Sequence, residues 1–337
     1  MVNIGIIGAG RIGKVHAKSI LTGVDTARIK AIADPFMTKE TEEWAKSAGI
    51  PNVYLDHKRI IEDEEIDAVL ICSSTDTHSP ISLEAIKAGK HVFCEKPIDL
   101  DLKKIKQVMK ALEGTELKYQ VGFNRRFDHN FRAVRKAVAD GKIGDIHIVK
   151  IASRDPAPPP IEYVKVSGGL FLDMMIHDFD MVRYLTGSEA TEIYASGAVL
   201  VDPSIGKAGD VDTAIVNIKM ENGALCVIDN SRKAVYGYDQ RAEVFGNKGC
   251  VAVGNDCPST SVLSTEAGVC SEKPLYFFLE RYMQAYQDEI RSFISAIERD
   301  VPTEVGVYDG LQPVRMGLAA KLSLAEGRPV KLDEIKF

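Results

Sequence analysis

The first 120 residues alternate between short apolar runs and longer segments in which apolar residues recur every three or four positions. Short apolar runs are typical of buried strands, and the longer period is typical of amphipathic helices. The predicted strands are VNIGIIG, ARIKAIAD, DAVLICSS, KHVFCEKP and LKYQVGF, and the predicted helices are RIGKVHAKSILTG, TKETEEWAKSAG, PISLEAIKAG and DLKKIKQVMKALEG. Strands that alternate with helices of this length predict βαβ units and a parallel sheet.

The pattern changes near Gly122. A helix (RAVRKAVADGKIG) and a strand (DIHIVKIASRD) come first, and the proline-rich PAPPP at 156–160 then predicts a loop. An apolar helix, LFLDMMIHDFD, is predicted over 170–180. Strands are then predicted at TEIYASGAVLV, DTAIVNIKM, ALCVIDNSRKA, QRAEVFG and GCVAVG, with hairpin-turn signals at ENGA and NKGC. Two helices, over 277–299 and 308–326, close the chain.

These elements predict an α/β protein with two domains. Residues 1–122 form a doubly wound, parallel-sheet nucleotide-binding domain, and residues 123–337 form an α+β domain with a mostly antiparallel sheet. Ligands of such proteins bind at the carboxyl ends of the parallel strands, so we expect a cleft there, between the two domains.

The composition is that of a globular protein large enough for two domains, with 337 residues, 45% hydrophobic and 27% charged. The net charge of -6 argues against a nucleic-acid partner. The apolar runs are shorter than the roughly 18–20 residues of a membrane span. VNIGIIGAG directly follows Met1, so we expect no signal peptide and a cytoplasmic location.

Six cysteines are scattered along the chain without a C-x-x-C pair: Cys72, Cys94, Cys226, Cys250, Cys257 and Cys270. A zinc site or a redox pair is the functional interpretation of cysteines. Their spacing favours reduced, mostly buried small hydrophobic residues instead, and we expect no metal site.

A glycine-rich loop follows the first predicted strand and opens the first predicted helix. Its sequence GAGRIG matches G-x-G-x-x-G and contains Gly8, Gly10, Arg11, Ile12 and Gly13. Gly8 would permit the tight turn, Gly10 the approach of a pyrophosphate, and Gly13 the close packing of helix on strand. The amides at the helix N-terminus suit the phosphates. The loop therefore predicts a dinucleotide site.

Asp34 closes the second predicted strand, where a carboxylate accepts hydrogen bonds from an adenosine ribose diol. Because the same charge repels a 2′-phosphate, we predict NAD rather than NADP. Ser73, Ser74 and Thr75 follow another strand and are predicted to line the cofactor crevice. His78 either contacts the cofactor or caps the helix that begins there.

A lysine and an Asp–His pair are the candidates for chemistry. Lys96 lies in Glu95-Lys96-Pro97 at a strand end, and we predict that it faces the cleft beside a nicotinamide. Asp173 and His177 are four residues apart, which would stack them on one helix face. A core histidine is the default interpretation of His177. With a carboxylate and a lysine at hand, a general base is favoured, while the neighbouring Asp178 is predicted to be structural.

The N-terminal G-x-G-x-x-G, the central E-K-P and the later D-x-x-x-H together resemble the Gfo/Idh/MocA oxidoreductase family, over essentially the whole chain. This resemblance implies a Rossmann domain followed by an α/β domain with a large open sheet. In many members that sheet packs against another subunit, so the resemblance also implies a homo-oligomer, a dimer or a tetramer.

Within the family the chain is similar to inositol 2-dehydrogenases, through VGFNRRFD (121–128), SGGLFLDMMIHDFDM (167–181), YGYDQR (236–241) and LERYMQAY (279–286). The similarity implies NAD-dependent oxidation of myo-inositol to 2-keto-myo-inositol. It assigns catalysis to Lys96, Asp173 and His177. It places Glu95 and Lys96 with the cofactor-binding residues, and it implies that Asn124, Asp155 and Tyr238 contact the polyol together with the catalytic residues.

Three alternatives stay open at this point. A related dehydrogenase could act on scyllo-inositol, another cyclic polyol or an aldose. A non-catalytic NAD-binding regulator would keep the glycine loop, and it could lose the lysine or the histidine, which are both present. An enzyme that retains its NAD and transfers groups on a nucleotide-linked sugar would need room for that larger substrate.

Overall fold

A six-stranded parallel sheet forms the N-terminal part of the computed structural model, which describes residues 1–336. Its strands are β1 (Val2–Ile7), β2 (Ala27–Ala33), β3 (Asn52–Tyr54), β4 (Ala68–Ile71), β5 (His91–Glu95) and β6 (Tyr119–Gly122). The helices between them are α1 (Arg11–Gly23), α2 (Lys39–Ser47), α3 (Lys58–Ile61), α4 (Thr75–Lys87) and α5 (Leu102–Leu112). The predicted strands and helices are confirmed; β3 and α3 are additional.

The strand order β3-β2-β1-β4-β5-β6 reverses direction between β1 and β4. Helices cover both faces of such a sheet, and the central strands β1 and β4 are accordingly mostly apolar: Ile4, Ile6 and Leu70 are all 0% exposed. A crevice forms outside the carboxyl ends of the strands where the order reverses, and this is where α/β proteins of this topology bind nucleotides.

Two compact units divide the chain: Met1–Phe127 with Met283–Val314, and Asp128–Tyr282 with Arg315–Lys336. The sequence predicted one boundary after residue 122 and placed 283–314 in the second domain. The structure places that segment in the first unit because helix Met283–Arg299 has an apolar face. Ile290, Phe293 and Ile294 of that face are buried in the same core as β1 and α1.

The second unit is built around a seven-stranded mixed sheet. Its strands are β7 (Ile146–Arg154), β8 (Ala190–Ala198), β9 (Thr213–Met220), β10 (Leu225–Ser231), β11 (Asp239–Gly246), β12 (Gly249–Val253) and, after a separate hairpin of β13 (Val262–Thr265) and β14 (Gly268–Ser271), β15 (Val330–Lys331). The helices from residue 128 onward, through both units, are α6 (His129–Ala139), α7 (Ile161–Val164), α8 (Gly169–Asp173), α9 (Ile176–Thr186), α10 (Pro203–Lys207), α11 (Phe278–Arg281), α12 (Met283–Arg299) and α13 (Val307–Glu326).

The strand order of this sheet is β12-β11-β7-β10-β9-β8-β15. Most neighbours are antiparallel, as predicted, but β7 and β10 run parallel. Side chains on β9 alternate between buried and exposed, which means that one face of the sheet is covered and the other is open. Within residues 1–336, no helix is both long and apolar enough to cross a membrane.

Candidate active site

The glycine loop connects β1 to α1 with the geometry that the motif predicts. Gly8 has φ +103°, a conformation that glycine adopts without strain, and a Cβ there would lie 2.5 Å from the Cys72 carbonyl. A Cβ on Gly13 would lie 2.0 Å from the Gly8 oxygen. Gly10, by contrast, precedes the helix with open space around its α-carbon. The loop thus leaves room for a phosphate at Gly10 and at the start of α1.

Asp34 follows β2 and is tied to this loop. One carboxylate oxygen accepts the Ala9 N–H at 2.8 Å, and the other accepts the Phe36 N–H at 2.8 Å. A groove of about 410 Å³ opens beside it, lined by Ala9, Gly10, Arg11, Lys14, Asp34, Phe36, Met37 and Thr41. The sequence did not single out Phe36, whose ring is 87% exposed next to the groove. Its position two residues after Asp34, the carboxylate predicted to bind a ribose, is the feature of the sequence that could have identified it.

The loop after β4 carries Ser73, Ser74 and Thr75, and Ser74 caps the start of α4 by position. His78, one turn into α4, is 2% exposed. Its Nδ1 lies 2.8 Å from the Pro97 carbonyl oxygen and its Nε2 lies 3.0 Å from that of Ser73. The imidazole therefore joins the chain after β4 to the chain after β5. Its two nitrogens hold the backbone in place, which is a structural role beside the predicted cofactor crevice.

The two carbonyl contacts favour an imidazolium at position 78, because both ring nitrogens must donate. Burial opposes the charge, but Cys94 and the Pro97 and Ser73 carbonyls outweigh it and raise the pKa of His78 to about 9.

We expect His78 to make the protein less stable as the pH rises. When the pKa of a histidine is higher in the folded than in the unfolded protein, protonation stabilises the fold. The stabilisation is complete at a pH below the unfolded-state pKa of 6.5, and it is lost as the pH rises through the folded-state pKa of about 9. The contribution is on the order of 3 kcal/mol. Between pH 6 and pH 9.5, the melting temperature of the unmodified protein should fall further than that of His78→Gln. An equal fall in both proteins would contradict a protonated His78. His129→Gln, at an exposed histidine, is the matched control.

Lys96 follows the last residue of β5 and is half-buried. Its backbone N–H donates to a carboxylate oxygen of Glu95 at 3.3 Å. The other Glu95 oxygen lies 2.6 Å from Nε2 of His16, inside the unit. The structure thus directs the Glu95 carboxylate towards the interior, where it supports the backbone of Lys96. The His16 ring is itself 0% exposed.

The predicted helix over 170–180 is interrupted. Asp173 ends α8 and His177 is the second residue of α9, with a turn at Met174 and Met175 between them. The Met175 N–H donates to the Leu170 carbonyl, five residues back, so the turn is wider than that of an α-helix. The two residues therefore do not belong to one regular helix, and the i,i+4 argument describes their spacing only approximately.

Asp173 is held by two residues that the sequence did not single out. Tyr163 donates its hydroxyl to one oxygen at 2.8 Å, and the Arg232 guanidinium lies 3.4 Å from the other. Arg232 is 1% exposed and the carboxylate side chain of Asp173 is 12% exposed. A carboxylate with a buried cation behind it and part of its surface accessible is suited to orienting a neighbouring group. Arg232 directly follows β10, and this position at a strand end is the feature of the sequence that could have identified it.

The remaining candidates fall in both units. Asn124 begins the 3₁₀ helix Asn124–Phe127 of the first unit and is 3% exposed. In the second unit, Asp155 follows β7, and its backbone donates to the Ser231 carbonyl and accepts from the Ala234 N–H, alongside Arg232. Tyr238 packs edge-on against Tyr282, with ring centroids 5.9 Å apart.

Asp178 has the structural environment that the sequence predicted for it. The side chain is 0% exposed and accepts a hydrogen bond from the Asn230 amide at 2.9 Å. It thereby ties α9 to β10, the strand that leads to Arg232.

Two family profiles match the chain. Residues 2–123 match the profile described as "Oxidoreductase family, NAD-binding Rossmann fold". Residues 131–252 match that of the "GFO/IDH/MocA C-terminal domain". The two profiles cover the parallel sheet and most of the mixed sheet.

Similar proteins extend this likeness over the full length. A myo-inositol 2-dehydrogenase from Thermotoga maritima is 49% identical over 334 residues, which cover 99% of each chain. An inositol 2-dehydrogenase from Rhizobium meliloti is 46% identical over 98% of this chain and 99% of its own. Among solved structures, a scyllo-inositol dehydrogenase from Lactobacillus casei with bound NAD(H) and scyllo-inositol has a TM-score of 0.92 at 32% identity, covering 99% of both chains.

Proposed function

The chain belongs to the Gfo/Idh/MocA family of oxidoreductases, and we propose that it oxidises a ring secondary alcohol of a cyclic polyol with NAD, converting myo-inositol to 2-keto-myo-inositol. One observation carries this proposal: the chain is 49% identical, end to end, to a myo-inositol 2-dehydrogenase, and it has the lysine, aspartate and histidine of the family motifs. Lys96, Asp173 and His177 are the proposed catalytic set.

The first unit fits the dinucleotide. The space at Gly10, the first amides of α1 and the Asp34 carboxylate correspond to a pyrophosphate and a ribose diol. Ser73, Ser74 and Thr75 continue this edge of the sheet. NAD, when bound, accepts the hydride that leaves the substrate carbon.

In the proposed reaction, His177 accepts the proton of the substrate hydroxyl as the alcohol becomes a ketone. Lys96 supplies a positive charge for the oxygen on which negative charge develops, so no metal ion is required of the mechanism. Asp173, held by Tyr163 and Arg232, orients the histidine and balances the charge. We propose that Asn124, Asp155 and Tyr238 contact the other hydroxyls of the ring.

NADH absorbance with a panel of alcohols tests the proposal: myo-inositol, scyllo-inositol, D-chiro-inositol, glucose and xylose, each with NAD and with NADP. Turnover of myo-inositol with NAD would support it. If the protein binds NAD and turns over none of the five, a regulator or a group-transfer enzyme becomes the better description.

Scyllo-inositol is the second candidate substrate. The structural likeness to a protein solved with scyllo-inositol, at a TM-score of 0.92, favours it over an aldose. A higher kcat/KM for scyllo-inositol than for myo-inositol would change the substrate and keep the mechanism, because the two differ only in the orientation of one hydroxyl.

Asp34→Ala should lower kcat/KM for NAD by roughly 10- to 100-fold, since a hydrogen bond to a charged group is worth about 1.5–3 kcal/mol. Use of NADP should improve because the repulsion of its 2′-phosphate is removed. Asp34→Asn keeps an acceptor for the Ala9 N–H and separates loss of charge from loss of the loop contact. Equal use of NAD and NADP by the unmodified protein would refute the role of Asp34.

A homotetramer is the proposed assembly, formed through the open face of the mixed sheet. Phe245, Ile148 and Leu225 are neighbours across β11, β7 and β10, and each is 39–54% exposed. An apolar row of this kind on a sheet face is typical of a subunit interface. Light scattering coupled to size exclusion measures the mass, and a monomer at micromolar concentration would refute the proposal.

A cytoplasmic location is also proposed, because the reaction draws on a cellular pool of NAD. Cell fractionation of the source organism, with activity as the marker, tests it.

A further inference from the structure

Three titratable side chains meet inside the first unit: His16 on α1, Glu95 at the end of β5 and Glu289 on α12. Their ligand-capable atoms all lie within 4.8 Å of one another. Phe93 and Tyr286 pack edge-on against the His16 ring, with centroids 5.0 and 5.6 Å away, so two aromatic side chains enclose the ring. The three residues come from distant parts of the chain and have no place in the proposed reaction so far.

Glu289 is the unusual member. Its side chain is 0% exposed, and neither carboxylate oxygen has a hydrogen-bond partner within residues 1–336. An ionised carboxylate without a donor is expensive to bury, so the group takes up a proton instead. Burial first, and the charge of Glu95 second, raise the pKa of Glu289 well above its usual range.

A divalent cation is the other way to neutralise such a cluster, and the distances disfavour it. Two ligand atoms about 2.1 Å from a tetrahedral zinc ion lie roughly 3.4 Å apart. Nε2 of His16 and the Glu95 oxygen are 2.6 Å apart, which is a hydrogen-bond distance. The imidazole and the carboxylate are therefore already joined by a proton.

The cluster lies directly behind Lys96. The second Glu95 oxygen accepts the Lys96 N–H at 3.3 Å. Glu95 is paired with Gly122 on β6, where a Cβ would lie 2.9 Å from that oxygen, so the carboxylate fills the space that the glycine leaves. A change in the position of Glu95 would consequently move the backbone that carries Lys96.

We propose that Glu289 holds a proton in the folded protein and that His16, Glu95 and Glu289 act as one unit that positions Lys96. A protonated Glu289 can donate towards Glu95 after a small side-chain rotation or through one bridging water. Glu289 and His16 are positioning residues, since they act on the substrate only through Glu95 and Lys96. This inference rests on the proposed function for the role of Lys96, but the protonation of Glu289 is independent of it.

Four other side chains lie near Glu289 in space or on its own helix, and none of them belongs to a lysine or an arginine. Burial first, and the negative charge of Glu95 second, raise the pKa of the Cys72 thiol, which follows β4, well above the usual range. Tyr286 lies on the same helix, one turn before Glu289, and Gln120 on β6 donates to the Glu289 backbone carbonyl at 2.8 Å. His16 is a further titratable neighbour, and it is paired with Glu95.

Thermal melts of the full-length protein from pH 5 to pH 9 test the proton. A carboxyl whose folded-state pKa is raised makes the protein less stable as the pH rises from the unfolded value of about 4.5 towards the folded value. Glu289→Gln is neutral at every pH and should lack this loss. Its midpoint should match the unmodified protein near pH 5 and exceed it by about 2–4 °C or more at pH 8. Glu298→Gln, exposed on the same helix, is the matched control.

Turnover of the polyol tests the positioning. Glu289→Gln keeps a donor and should retain kcat within about twofold, whereas Glu289→Leu removes the donor and should lose roughly tenfold or more in kcat, with little change in KM for NAD, because small displacements of a reacting group are costly. Equal kcat for both variants would overturn the positioning role. Two results would refute the protonation of Glu289. One is a melting temperature that varies with pH in the same way for Glu289→Gln and the unmodified protein, and the other is one tightly bound divalent metal ion per chain by elemental analysis. The melts need no substrate, so they remain decisive if no polyol is turned over.

Discussion

His177→Ala should reduce kcat on a cyclic polyol by about 10²–10⁴-fold, the range over which a positioned general base acts. The substrate hydroxyl must lose its proton as the hydride leaves, and water is a poor replacement for an imidazole at neutral pH. Steady-state kinetics with NADH absorbance measures the loss, and the pH dependence of the residual activity should lose its limb near the histidine pKa range. NAD binding, followed by the protein's fluorescence, should be almost unchanged.

His129→Ala is the matched control, because that histidine belongs to the same unit and its side chain is 65% exposed. It should leave both turnover and stability unchanged. Near-normal turnover in His177→Ala would show that another group accepts the proton, and the proposed role of His177 would have to be abandoned.

Lys96→Ala should cost a comparable factor, about 10²–10³-fold in kcat, through the loss of a positive charge from the oxygen on which negative charge develops. Lys103→Ala, an exposed lysine on α5, controls for the general loss of a charge. The double variant Lys96→Ala, His177→Ala tests whether the two residues act together. If its kcat is little lower than that of either single variant, the residues act as a unit, as expected for groups that handle one proton.

Local sequence signals were sufficient for most of the first unit. The glycine loop, the carboxylate at Asp34 and the alternating strands and helices each depend on neighbouring residues, and short-range patterns encode such features well. The second unit was harder, since the parallel pairing of β7 with β10 joins residues 77 positions apart, such as Leu225 and Ile148. The period of a strand predicts which face is buried but not which strand lies next to it.

The supporting residues of the site were missed for the same physical reason. Arg232 meets Asp173 across 59 positions, and His16 meets Glu95 across 79. Glu289 did leave a signal: it lies on the same helical stripe as Tyr286, Ile290 and Phe293, all of which are buried. A charged residue within an apolar stripe of α12 predicts a buried polar contact, although the pattern does not identify the partner.

Arg232→Met should impair both stability and turnover. The guanidinium is 1% exposed and lies 3.4 Å from Asp173, so its removal leaves a largely buried carboxylate without its cation. Loss of one partner of a buried ion pair costs about 3–5 kcal/mol, and urea unfolding should show a decrease of that order. Because Asp173 then loses its fixed orientation, kcat should fall on the order of 10- to 100-fold while KM for NAD stays close to normal.

The adjacent Lys233→Met is the matched control, because that lysine is exposed and undergoes the same change of charge and shape. Arg232→Lys addresses the risk that the methionine variant does not fold: the charge remains, but the planar fork that faces Asp173 is lost. If orientation of Asp173 is what Arg232 supplies, the lysine variant should fold with most of its stability and still lose kcat, and its pH profile should shift. A lysine variant with full turnover and an unshifted profile would restrict Arg232 to stability and leave the orientation of Asp173 to Tyr163.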